Sequence, residues 1–345
     1  MKVLTAMSGG VDSSVAAALL LEEGHDVVGV TMKLWGGKSD SGCCSVGDVE
    51  DARRVAQQLG IDHWVFNFGE EFDARVVAPY VADHAAGRTP NPCIECNRHL
   101  KFDRLLERAH ALGFDALATG HHARVTERDG VHRLRRGADR AKDQSYVLYV
   151  LGQRQLASIR LPVGEITKAE VRDRALALGL RTATKPESQD TCFVLASAGR
   201  RAFLADRIPL RAGRVVERSG AVVGTVEAVE LVTVGQRRGL GVAGGAPRYA
   251  IDVDTERAVV TVGRGDELLT DRVRLVGLTW VDAPVGGAVF AQCRAHDDAV
   301  AARVDGDTVR FDEPHWRIAP GQSVVLYRGD EVVGGGIAAR DDLSV

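Results

Sequence analysis

Seven residues near the start of the chain, Ser8-Gly9-Gly10-Val11-Asp12-Ser13-Ser14, have the types and spacing to grip a phosphate. Gly9 and Gly10 permit a tight turn that brings backbone N–H groups close to an anion. Ser8, Ser13 and Ser14 offer hydroxyl donors. The alanine- and leucine-rich stretch Ser13–Glu23 predicts a helix whose positive dipole end faces the same point. Asp12 alone would repel phosphate, so its expected role is to meet a magnesium ion held between them. The lysine of GxxxxGK[ST] is missing, which argues against a Walker-type NTPase. An ordinary serine-rich helix cap would use the same residue types. The strand–loop–helix context favours the phosphate, and with it an ATP-consuming nucleotidyl transfer.

Cysteine supplies the second set of reactive groups. Cys93-Ile94-Glu95-Cys96 follows Pro90-Asn91-Pro92, where two prolines make a rigid turn. A helix predicted over Asn97–Leu112 puts Cys96 at its start, where the dipole and Arg98 would lower a thiol pKa. Cys192, in Pro186-Glu187-Ser188-Gln189-Asp190-Thr191-Cys192-Phe193, is a third thiol. Three cysteines suit thiol or persulfide chemistry, and equally a [4Fe–4S] cluster with one iron left open. Zinc wants four ligands, and no second CxxC follows. Cys43 and Cys44, in a glycine- and serine-rich stretch expected to form a loop over the site, read as incidental thiols. Cys293 reads as a small hydrophobe in a barrel strand. His84, His110 and His122 carry no motif and read as surface or core histidines.

The elements that must position these groups alternate in the first half of the chain. Strands are predicted at Lys2–Met7, Val27–Lys33, His63–Phe68 and Ala116–Thr119. Helices are predicted at Ser13–Glu23, Asp48–Leu59, Glu70–Ala86 and Asn97–Leu112. The alternation implies an α/β fold, a doubly wound parallel sheet with helices on both faces. Beyond residue 200, short β-branched runs alternate with glycine. From Leu275 to Gly336 six short strands suit a small antiparallel β-barrel. The expected domains are 1–200 for the phosphate loop and cysteines, 201–270 for a small central β-rich domain, and 271–345 for the barrel.

Of the 345 residues, 45% are hydrophobic and 26% charged, enough apolar material for sizeable cores. No apolar run approaches the ~18 residues of a membrane span, and the N-terminus lacks the features of a signal peptide. A cytoplasmic location is expected. The net charge of −3 does not by itself suggest a nucleic-acid partner. Arginine and histidine nevertheless cluster at 98–110 and 132–142, as solvated faces or as backbone contacts for an RNA.

The phosphate loop resembles that of the PP-loop ATP pyrophosphatases. Further segments extend the likeness: Gly87 to Arg98, Pro186 to Phe193, Thr31-Met32, Ala118-Thr119-Gly120-His121, Lys142-Asp143-Gln144-Ser145-Tyr146, Gly235 to Gly241 and Pro320-Gly321-Gln322. With them the chain resembles the bacterial tRNA-specific 2-thiouridylases over nearly its whole length. That resemblance implies ATP contacts at Ala6, Met7, Ser8, Gly9, Gly10, Val11, Asp12, Ser13, Met32 and Gly120. It implies a nucleophile at Cys96 and a persulfide at Cys192, ending as a Cys96–Cys192 disulfide. Asn91, Pro92 and Cys93 would line the target base. His121, Lys142, Asp143, Gln144, Cys293, Arg294 and Gln322 would contact tRNA. The implied reaction is adenylation of the wobble uridine of the glutamate, glutamine and lysine tRNAs, then sulfur transfer with release of AMP and pyrophosphate. A cysteine desulfurase or sulfur-relay protein would supply the sulfur.

The sequence departs from the family in two places. Many members carry aspartate where Cys93 stands, so a [4Fe–4S] cluster on Cys93, Cys96 and Cys192 is open beside the persulfide route. The family's basic-aromatic-basic segment is Gln292-Cys293-Arg294 here. Two other functions are compatible with the loop: a PP-loop ligase with a small-molecule acceptor, and a tRNA-binding or sulfur-carrier module that has lost ATP cleavage. The intact Asp12 and loop serines argue against the second.

Overall fold

The computed structural model describes residues 1–34, 46–186, 191–194, 199–243 and 246–340. Cys43, Cys44 and the stretch Glu187 to Asp190 lie outside the described residues. The first sheet is five-stranded and wholly parallel, in the order β3-β2-β1-β4-β7. Its strands are β1 Lys2–Ala6, β2 Asp26–Lys33, β3 His63–Asn67, β4 Ala116–Ala118 and β7 Ile159–Arg160. The α/β expectation holds.

Strand order explains where a ligand belongs. The chain leaves β1 towards β2 and β3 on one side, then returns to place β4 on the other. The carboxyl ends of β1 and β4 therefore part at a topological switch point, where a crevice opens between the loops that follow them. The loop after β1 is Met7 to Gly10, and the one after β4 is Thr119 to His122.

Helix α1 (Val11–Glu22) is apolar almost all round, with Val15, Ala16, Ala17 and Leu20 fully buried. Such a helix has no solvated face, and it lies between the sheet and the helix Lys168–Ala177. Helix α2 (Val46–Leu59) buries Ala52, Val55 and Ala56 along one stripe. The cysteine helix starts at Pro92, earlier than predicted, and continues unbroken to Ala111, with wide π-type turns from Cys96 to Leu105.

The hairpin β5 (Ala123–Arg128) and β6 (Val131–Arg136) went unpredicted, because arginines occupy half of β6 and mask the strand alternation. It does not join the parallel sheet. Instead β6 pairs with β17 (Glu331–Ala338) of the C-terminal domain, Leu134 opposite Val332. Arg124 and Arg135 bond Asp330, and Arg133 bonds Glu331. Much of the basic stretch at 132–142 is thus spent in bolting one domain to another.

The barrel closes as expected. Strands β12 (Leu269–Trp280), β15 (Thr308–Trp316), β14 (Val300–Asp305), β13 (Gly287–Gln292), β16 (Ser323–Arg328) and β17 (Glu331–Ala338) run antiparallel, and β12 pairs with β17 to complete the ring. Glycines at 334–336 allow that closure: a Cβ on Gly334 would lie 2.5 Å from the carbonyl oxygen of Thr279. Between sheet and barrel in the chain, β8 (Gly213–Glu217), β9 (Val222–Val226), β10 (Tyr249–Asp254) and β11 (Val259–Gly263) form a four-stranded mixed sheet over its own valine-rich core.

Candidate active site

The helix after β1 begins at Val11, inside the glycine-rich segment, so Val11, Asp12 and Ser13 form its first turn. Gly10 is its N-cap and no side chain caps it, so the first-turn N–H groups face the crevice, where an anion would satisfy them. Two glycines are needed for the approach of neighbouring backbone. Gly9 has φ +70°, and a Cβ there would meet the carbonyl oxygen of Asp48 at 2.3 Å. A Cβ on Gly120 would lie 2.6 Å from the Ser13 nitrogen. Only bare backbone lets the end of β4 touch the head of α1.

The serines divide their work. Ser14 is fully buried; its hydroxyl donates to the Gly10 carbonyl at 2.8 Å and accepts from Thr182. It shapes the loop and is turned away from the crevice side. The Ser13 hydroxyl accepts from the Ser8 backbone N–H at 3.1 Å and lies 3.3 Å from the Ser8 hydroxyl. These two remain at the crevice.

Asp12 is held by groups that no motif announced. Lys168 Nζ donates to both carboxylate oxygens at 2.7 Å, and His122 Nε2 lies 3.1 Å from one of them. Burial would raise the Asp12 carboxyl, but the hydrogen bonds and charge of His122 and Lys168 outweigh it and hold the group below the usual carboxylate range. Lys168 is set in place by a capping box, Thr167 with Glu170, at the start of its own helix. A second lysine, Lys185, donates to the Gly9 carbonyl and to Asp48 and Asp51. The loop that lacks a lysine in sequence is therefore embraced by two from residues far along the chain.

Asp12 remains the one loop carboxylate that suits magnesium, and an ion there would displace Lys168 from at least one oxygen. His122 is a core histidine, as expected, yet it belongs to the site. The only signal for it was its place beside Thr119-Gly120-His121.

The crevice encloses a cavity of about 280 Å³ lined by both loops, by Met32 of β2, and by Lys101, His121 and Gln144. Lys101 comes from the cysteine helix, which brings that helix to the same space. Ala6, Met7, Ser8, Asp12, Ser13, Met32 and Gly120 thus line one cavity. His121 is buried, with Nδ1 2.7 Å from the Thr119 hydroxyl and its ring 5.7 Å from that of Phe102. Gln144 accepts from the His122 backbone N–H at 2.9 Å.

The cysteines are placed differently from expectation. Asn91 caps the helix, accepting from the Cys93 N–H at 3.1 Å, so the helix end lies at exposed Cys93. Cys96 sits a turn further in and is buried. Proline at 92 starts the helix early, because a residue with no N–H loses nothing at the first position. Cys96 joins the apolar cluster that includes Phe72, Tyr80 and Phe193, and Cys192 packs against that same cluster. Among the described residues no three His, Cys, Asp or Glu side chains are gathered as a metal site. Cys93, Cys96 and Cys192 do not form a ready cluster cradle.

The Asp143 carboxylate is committed inward, to Arg136 at 2.8 Å and to Ser145. Lys142 and Gln144 flank it. Gln322 follows a barrel turn that docks beside the cysteine segment, where Thr89 N–H donates to the Pro320 carbonyl at 2.7 Å. Cys293 is buried in the barrel core, and burial pushes its thiol up to about 12; Arg294 beside it reaches solvent.

Comparison with known proteins agrees with this arrangement. Family models described as tRNA methyl transferase HUP domain, tRNA methyl transferase PRC-barrel domain and aminomethyltransferase β-barrel domain match residues 1–196, 201–264 and 270–338. The tRNA-specific 2-thiouridylase MnmA of Roseiflexus castenholzii is 48% identical over 371 residues, covering 99% of this chain and 100% of its own. The chain belongs to the tRNA-specific 2-thiouridylase family. The namesake enzyme of Geobacter metallireducens is 47% identical, covering 97% of this chain and 96% of its own. ATP is the cofactor of this family, and no helix among the described residues is long and apolar enough to cross a membrane.

Proposed function

We propose that this chain uses ATP to replace the C2 oxygen of a tRNA wobble uridine with sulfur, acting in the cytoplasm on the glutamate, glutamine and lysine tRNAs. One observation carries the proposal: the phosphate loop and the cysteine helix border the same cavity, through Ser8, Asp12 and Lys101. ATP lies with its phosphates at the head of α1. Magnesium, when bound beside Asp12, lowers the repulsion between the phosphates and the attacking group. The uncapped N–H groups of α1 and the Ser8 and Ser13 hydroxyls stabilise charge on the leaving pyrophosphate.

The uridine O2 bonds to the α-phosphorus and pyrophosphate departs. The terminal sulfur of a Cys192 persulfide then bonds to C2, and AMP leaves with the former O2. The Cys96 thiolate attacks Cys192 Sγ, breaking the sulfur–sulfur bond and leaving 2-thiouridine with a Cys96–Cys192 disulfide. Two electrons from cellular thiols restore both cysteines, and a cysteine desulfurase or relay protein reloads Cys192. Asn91, Pro92 and Cys93 border the base. Lys142, Gln144, Arg294 and Gln322 meet the tRNA around it.

The test is a reconstitution with ATP, magnesium, a sulfur source and unmodified tRNA, assayed for 2-thiouridine, AMP and pyrophosphate. Cys192→Ser and Cys96→Ser should each abolish the thiolated product. Full thiolation by either variant would sink this mechanism.

A further inference from the structure

We propose that His121 is a catalytic base, taking the N3 proton of the uridine while O2 bonds to the α-phosphate. The inference rests on the reaction described above and concerns a step which that reaction leaves without an agent. A uridine carbonyl oxygen is a poor nucleophile while N3 keeps its proton. Attack by O2 with loss of that proton gives a neutral O2-phosphorylated base; attack without it leaves a cation. N3 is bonded to C2, so the acceptor must stand beside the point where O2 meets phosphorus.

Among the described residues lining the cavity, three carry titratable side chains: Asp12, Lys101 and His121. Both oxygens of Asp12 accept from Lys168, and one also lies against His122. Lys101 presents a cation, suited to phosphate and unsuited to receiving a proton. His121 is the neutral acceptor. Burial holds its pKa well below the usual histidine value, Lys101 and His122 act in the same sense, and Asp12 opposes them.

The geometry presents this ring for the task. Nδ1 is engaged by the Thr119 hydroxyl at 2.7 Å, and the ring lies against Phe102 of the cysteine helix. With the proton on Nδ1 donated to Thr119, the Nε2 lone pair is left for substrate. Cys93, where many of the family carry aspartate, is an exposed thiol here. The proton balance closes over the cycle. His121 receives the N3 proton as pyrophosphate leaves, and returns it to N3 once sulfur has replaced the C2 oxygen.

The experiment is single-turnover release of pyrophosphate with saturating tRNA, followed across pH for the wild type and for His121→Gln, His121→Ala and Cys93→Ser. Glutamine can still donate a hydrogen bond but cannot take the proton. Both His121 variants should slow activation by roughly 10²–10⁴-fold, with ATP and tRNA affinities changed only a few-fold. Their residual rates should rise about tenfold per pH unit, as hydroxide replaces the base. A tRNA carrying 5-fluorouridine at the wobble position, whose N3 is more acidic, should recover at least tenfold of the loss. His121→Gln at the wild-type rate and pH profile, no rescue by 5-fluorouridine, or the whole loss appearing in Cys93→Ser instead would each overturn the assignment. Failure of the wild type itself to release pyrophosphate with tRNA would refute the reaction above, which separates the two failures.

Discussion

Lys168 Nζ stands 2.7 Å from both carboxylate oxygens of Asp12, joining residues 156 positions apart across the mouth of the phosphate site. The pair is partly buried, with side-chain exposures of 10% and 29%. Among the described residues, removing the lysine leaves the carboxylate with His122 as its side-chain partner. Lys168→Met should destabilise the protein by about 2 kcal/mol at neutral pH, below the full cost of breaking a buried pair because Asp12 keeps some solvent. The Asp12 carboxyl is depressed in the folded state, so its contribution is fully present above its ordinary value of 3.8. It is lost as pH falls through the lower folded value. Urea titrations at pH 7 and near pH 3 should show the wild-type advantage shrinking at the acid end. An unchanged difference would mean that Asp12 and Lys168 are not paired in solution.

Gly120 makes the next prediction. A methyl group there would sit 2.6 Å from the Ser13 nitrogen and 2.7 Å from the Asp12 carbonyl carbon. Neither backbone atom can swing aside as a flexible side chain would, so β4 and α1 must separate. Gly120→Ala should weaken ATP binding at least tenfold while circular dichroism stays close to wild type. Wild-type ATP affinity by calorimetry would show that the crevice tolerates the opening.

The parallel sheet, the phosphate loop and the closed barrel were legible because each rests on local pattern: alternation of strand and helix, glycines beside a β-strand, evenly spaced short strands. What escaped was set by tertiary contact. Nothing near Lys168 or Lys185 in sequence shows that their amines reach Asp12 and Gly9. His122 looked like an unremarked neighbour of His121, and its role appears only when β4 ends against α1. The arginines of β6 suited either a solvated face or an RNA contact, and two of them, Arg133 and Arg135, are spent on Glu331 and Asp330 of the barrel. The position of Cys96 was missed by one turn, since Pro92 begins the helix that Asn97 was expected to begin.

The barrel meets the cysteine segment closely where Gly321 packs against Thr89. Gly321 has φ +91°, and a Cβ there would lie 2.9 Å from the Thr89 nitrogen, whose N–H already bonds Pro320. Gly321→Ala is strained in itself and pushes on the turn that carries Asn91 and Pro92. Hydrogen exchange should rise over residues 88–96. Thiolation turnover should fall more than fivefold, with ATP affinity unchanged because neither Gly321 nor Thr89 lines the cavity beside the phosphate loop. Equal losses in both quantities would indicate general unfolding instead of a displaced cysteine turn.

Cysteine reactivity provides the last prediction, because the described thiols occupy different environments. Burial pushes the Cys293 thiol up to about 12, so at pH 8 almost none of it is thiolate. Cys93 is exposed at the head of its helix. Iodoacetamide added at pH 8 to the folded protein should label Cys93 rapidly and Cys293 only after denaturation, as read by peptide mass spectrometry. Cys293→Ser should keep thiolation within about twofold. It should also cost on the order of 1 kcal/mol of stability, since a hydroxyl would replace an apolar sulfur in the barrel core. If Cys293→Ser lost thiolation as fully as Cys192→Ser, the sulfur path would have to pass through the barrel, and the pairing of Cys96 with Cys192 would be wrong.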